Sequence, residues 1–104
     1  MHSYHVHFSP GTGVSEAELI AKCHLFLQSL KESDQIQSYR LIRITNSASF
    51  KDLPRFQLIV DYSSQKQLDD SFTFMKSSNR VGDPPHGHIM HMVSDFRVSF
   101  SEDV

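Results

Sequence analysis

Phe56-Gln57-Leu58-Ile59-Val60-Asp61-Tyr62 alternates with a period of two: Phe56, Leu58, Val60 and Tyr62 share one face, and Gln57, Ile59 and Asp61 take the other. Upstream, Ile36 to Thr45 carries the same strand-like character, and only the loop Asn46 to Arg55 separates the two runs. Two consecutive strands at the centre of the chain leave room for one strand and one helix on each side.

Both flanks supply them. Tyr4, Val6 and Phe8 alternate with His5, His7 and Ser9, and Pro10, Gly11 and Gly13 end that strand. Ser15 with Glu18 three residues on has the spacing of a reciprocal helix cap. Leu19, Ile20, Cys23, Phe26, Leu27 and Leu30 follow as one apolar stripe. After the central pair, a helix is expected from about Gln65 to Lys76, capped by Ser64 and Gln67, with Leu68, Phe72 and Met75 inward. Ser77 to His88, with Gly82, Pro84, Pro85 and Gly87, reads as a loop long enough to cover a pocket or touch a second copy. Ile89 to Phe100 reads as the last strand, and a bulge near Ser94 and Asp95 accounts for the change of apolar phase. The order β-α-β-β-α-β gives a four-stranded antiparallel sheet with both helices on one face and the first and last strands adjacent.

A length of 104 residues suits one domain, 1–104, and a net charge of −2 with scattered Lys and Arg argues against nucleic acid. The third strand also lacks the basic-Gly-aromatic run of an RNA-recognition motif. No apolar run spans a bilayer and the N-terminus lacks a signal-peptide stretch, so no membrane partner and a cytoplasmic location are expected. The lone Cys23 has no internal disulfide partner and falls in the core stripe as an inert thiol.

With this element order over essentially its whole length, the chain resembles the dimeric α+β barrel superfamily. That ferredoxin-like group includes small monooxygenases and muconolactone isomerases. The resemblance implies a homodimer with its sheets face to face and a ligand pocket between sheet and helices or inside the barrel. Ile59, Val93 and one set from Leu41, Ile42 and Ile44 are expected on the sheet face away from the helices, an apolar load that a second copy would bury. The haem-degrading relatives use a set resembling Asn-Trp-His, and this chain has no Trp.

Histidine is the remaining signal. His2, His5 and His7 open the chain, and His86, His88 and His91 stand near its end. His5 and His7 project together, about 6–7 Å apart, and His91 is expected to join them from the last strand. A zinc site could arise there, but polar lining of the barrel outweighs it without a carboxylate to orient the rings. His86, His88 and His91 have metallo-β-lactamase spacing, yet Met90 replaces the required Asp. Asp61 shares the outward phase of His5 and His7, so the three are the catalytic candidates as an acid/base set. Tyr39, His91 and one of Arg40 or Arg43 are the ligand-binding candidates, a guanidinium suiting an anion. No nucleophile elbow, dinucleotide loop or phosphate loop is present, and neither a metal nor a cofactor is expected. The sequence therefore points to a homodimeric small-ligand-binding barrel, with cofactor-independent turnover of an organic substrate within its chemistry. A non-catalytic structural or regulatory dimer and a histidine-based metal-binding protein are the alternatives.

Overall fold

A computed structural model describes residues 1–77 and 86–104, the side chains of 74–77 and 86–88 excepted. Its elements are β1 (His2–Pro10), α1 (Glu16–Glu32), β2 (Ser38–Arg43), β3 (Phe56–Tyr62), α2 (Gln65–Ser77), α3 (His86–Met92) and β4 (Val93–Glu102). The strands form one antiparallel sheet in the order β2-β3-β1-β4. This is the ferredoxin-like arrangement that the alternation and element order imply.

Side-chain parity explains which face is covered. Val6, Phe8, Phe56, Val60 and Tyr62 project to one side and are buried against Leu19, Cys23 and Leu27 of α1 and Leu68 of α2. Both helices therefore lie on the same face. Ser15 caps α1 by accepting from the Glu18 amide at 3.3 Å, and Ser64 caps α2 by accepting from the Gln67 amide at 3.1 Å. Met75 lies outside the described side chains. β2 is shorter than the expected Ile36 to Thr45, although amides at Gln37 and Ile44 still bond to Asp61 and Arg55 beyond its ends.

The end of the chain departs from the sequence reading. Ile89 to Met92 is helix, not strand, and His86 to His88 belongs to the same helix, not to a loop. Ile89, Met92 and Val93 have i, i+3, i+4 spacing and pack against the core on the helix side. Val93 is therefore not on the opposite face. The rest of the expected loop, 78–85, lies outside the described residues. The expected bulge is present: His7 pairs with Arg97 but Ser9 pairs with Ser94, leaving one extra residue on β4. Asp95 takes the strain of that extra residue with a φ of 51°. Among the described residues, no helix is long and apolar enough to cross a membrane.

Candidate functional site

The face of the sheet away from the helices is a grid fixed by strand register. One row reads Ser38, Asp61, Ser3 and Ser101; the next reads Arg40, Ile59, His5 and Ser99; the third reads Ile42, Gln57, His7 and Arg97. This open face is mainly polar, with Ile42 and Ile59 its apolar members in those rows. The apolar load expected there is smaller because Leu41 and Val93 turn to the helix side.

His5 and His7 do share the open face with Asp61, as strand parity requires. The hydrogen bonds nevertheless separate them. Asp61 accepts from Ser3 at 2.7 Å and from Ser38 at 3.1 Å, so both carboxylate oxygens are engaged by hydroxyls. His5 Nδ1 lies 3.3 Å from the Gln57 amide nitrogen and Nε2 lies 2.8 Å from the Ser101 hydroxyl. The amide donates to Nδ1, and the matching neutral tautomer carries its proton on Nε2. His5 and Asp61 therefore do not form an imidazole–carboxylate pair. Arg40 is on the same face, across Ile59 from His5, about 10 Å away at two strand spacings.

The remaining candidates lie elsewhere. Arg43 is on the helix side, bonded to Glu16 at 3.2 Å, with its guanidinium carbon 5.5 Å from the Phe56 ring centre. Arg55 holds the other Glu16 oxygen at 2.9 Å. Tyr39 also faces the helices, its hydroxyl 3.0 Å from His24 Nδ1. His91 is exposed on α3, which packs against the helix-side core, so it does not join His5 and His7. The expected convergence fails because residues before Val93 are helical and leave the sheet. Among the described residues, no three His, Cys, Asp or Glu side chains gather as metal ligands.

A different site emerges between the sheet and the helices. A cavity of about 140 Å³ is lined by Tyr4 and Tyr62 from the sheet, Cys23 and Phe26 from α1, Ser71 from α2 and Met90 from α3, among others. Its walls are mostly hydrocarbon and aromatic ring. Tyr62 is 3 % exposed, and the side chain of the buried Ser71 stands beside its hydroxyl. Burial pushes the Tyr62 phenol up to about 12, against the lowering by Ser71. It likewise raises Tyr4 and pushes the Cys23 thiol up to about 11. These groups are protonated at neutral pH and can donate hydrogen bonds into an apolar space. Sequence reasoning placed Tyr4 and Tyr62 on the core face without seeing a site. The available signal was a pair of tyrosines where valine or phenylalanine would pack without a buried hydroxyl to satisfy.

Residues 1–103 match a family of unknown function, DUF6614. The chain belongs to that family. No curated protein matches the sequence. Among solved structures, this DUF6614 chain is similar to Arabidopsis thaliana At3g17210, with a TM-score of 0.73 at 7 % identity, covering 100 % of this chain and 96 % of that one. A dimeric ferredoxin-like protein of unknown function from Jannaschia sp. CCS1 aligns with a TM-score of 0.71 at 15 % identity over 99 % and 100 % of the two chains. A candidate antibiotic biosynthesis monooxygenase from Deinococcus radiodurans aligns with a TM-score of 0.62 at 13 % identity over 100 % and 93 %. At these identities the likeness establishes the ferredoxin-like fold of this DUF6614 member.

Proposed function

We propose that this DUF6614 protein is a homodimeric barrel whose protomers each bind a small, largely apolar molecule between sheet and helices. The observation that carries the reading is the apolar cavity with a buried Tyr62–Ser71 hydroxyl pair on its wall. Its volume of about 140 Å³ is comparable to that of an engineered apolar cavity of roughly 150 Å³ that takes benzene. The ligand is therefore of single-ring size, with one polar group at the hydroxyl pair. Such a pocket, apolar with few converging polar groups, is the usual form of a small-molecule site. The dimer is supported by the fold shared with dimeric ferredoxin-like proteins. In that assembly the polar open face, with His5, His7, Asp61 and Arg40, lines the lumen.

Thermal melting with phenol and with benzene tests the cavity. Both should raise the melting temperature, since a ligand at 100 times its Kd stabilises the native state by about 2.7 kcal/mol. Tyr62→Phe should weaken phenol binding and spare benzene, because only phenol uses the hydroxyl pair. No shift with either compound at saturating concentration refutes a cavity of this character.

A further inference from the structure

Strand β4 is an edge of the sheet, runs from Val93 to Glu102, and among the described residues leaves its outer row of amides and carbonyls without a partner strand. Its helix-side residues are not covered either. Phe96 is 44 % exposed, Val98 46 % and Phe100 57 %. Phe100 leans on Tyr4 and Phe72, with ring centres 5.0 and 5.7 Å away, so an aromatic surface runs continuously from the core to the free edge. Long edge strands are ordinarily protected by charge, proline or brevity. The opposite edge, β2, follows that rule: it spans Ser38–Arg43 and carries Arg40 and Arg43. On β4, Asp95 and Arg97 neutralise each other through two bonds of 2.9 Å, which leaves Glu102 at the strand's last position. Beyond the bulge at Ser94 and Asp95 the edge is apolar on one side, and its stretch 96–100 holds neither proline nor an unpaired charge.

We infer that β4 pairs antiparallel with β4 of a second copy about a twofold axis at Val98, and that this seam joins the two sheets of the barrel. The inference rests on the homodimer reading above and names the surface that makes it. The strand's own sequence selects the register. With Val98 opposite Val98 of the second copy, Phe96 faces Phe100 in both directions, Arg97 faces Ser99, and Asp95 faces Ser101. Every aromatic on that stripe then gains an aromatic cross-strand neighbour, and no like charges meet. Moving the centre to Arg97 sets arginine against arginine. Moving it to Ser99 sets Phe96 against Glu102. A twofold contact needs a self-complementary patch, and of these three registers the Val98 register meets that need. The bulge at Ser94 and Asp95 bends the strand and ends the pairing, so residues 96–100 form its body.

Cysteine cross-linking of the full chain tests the seam, with Cys23 buried and slow to react. Val98→Cys should oxidise to a disulfide-linked species of twice the 11.9 kDa chain mass. Phe96→Cys and Phe100→Cys should each cross-link poorly alone and well when mixed. Light scattering of the unmodified protein separates the two possible failures. A monomer mass overturns the homodimer reading and the seam with it. A dimer mass with Val98→Cys left unlinked overturns the seam alone and directs the contact to another surface.

Discussion

Tyr62 shows how one side chain serves both packing and site. Its ring is buried on β3, and its hydroxyl lies beside Ser71 of α2, away from the surface. The phenol loses its proton near 10.0 when unfolded and near 12 when folded, because burial disfavours the anion. Between those values the unfolded chain holds fewer protons, so stability falls as pH rises. The contribution is complete below about pH 10 and lost as pH passes 12. By pH 11 the loss is on the order of 1 kcal/mol, from the conversion of about 1.4 kcal/mol per pKa unit. Urea denaturation at about pH 8 and pH 11 should therefore show a smaller alkaline loss for Tyr62→Phe than for the native chain. Cys23 titrates in both proteins and cancels in the comparison. Equal losses would mean that the hydroxyl is hydrated in the folded state.

At the level of elements, α1 ends on a device usually built with glycine. Asp34 has a φ of 59°, its amide bonds to Lys31, and the Gln35 amide bonds to Leu30. That is a Schellman ending with aspartate in the left-handed position. Asp34→Gly should raise unfolding stability by about 0.5–1 kcal/mol, because glycine meets no Cβ penalty there; thermal or urea melts showing a loss above about 0.5 kcal/mol would assign the aspartate a stabilising contact that outweighs its strain. Other elements were readable in advance for plain reasons. β3 was legible because its alternation is unbroken from Phe56 to Tyr62, and α1 because its stripe and cap agree. Ile89 to Met92 was not, since a short segment of three apolar residues around His91 fits either period before a strand, and Ile89, Met92 and Val93 carry the helical one. That misreading moved His91 onto the sheet. The cavity was illegible for another reason: Tyr4, Cys23, Tyr62, Ser71 and Met90 come from five different elements and form no local motif.

For the whole molecule, the two faces of the sheet divide the work. The helix side holds the core and the cavity, while the open face presents hydroxyls, imidazoles and guanidinium groups around Ile42 and Ile59. A barrel built by facing two such surfaces closes over a lumen that hydrogen bonds must satisfy, and the Ser3–Asp61–Ser38 and Gln57–His5–Ser101 chains do so within one protomer. Ile59 sits between Arg40 and His5 in its row. An added carboxylate there would find cationic company, so Asp is a poor probe of the assembly. Ile59→Arg places a second guanidinium beside Arg40 and repeats it across the twofold axis, where a shared lumen leaves few counter-charges. The expected result is dissociation toward the 11.9 kDa mass by light scattering at micromolar concentration. The isolated fold should remain intact by circular dichroism, because the position is partly exposed in one protomer. The native chain should also melt at a temperature that rises with protein concentration, and the variant should lose that dependence. A variant that stays dimeric with an unchanged melting curve would show that the open faces stand apart, leaving the lumen wide and wet.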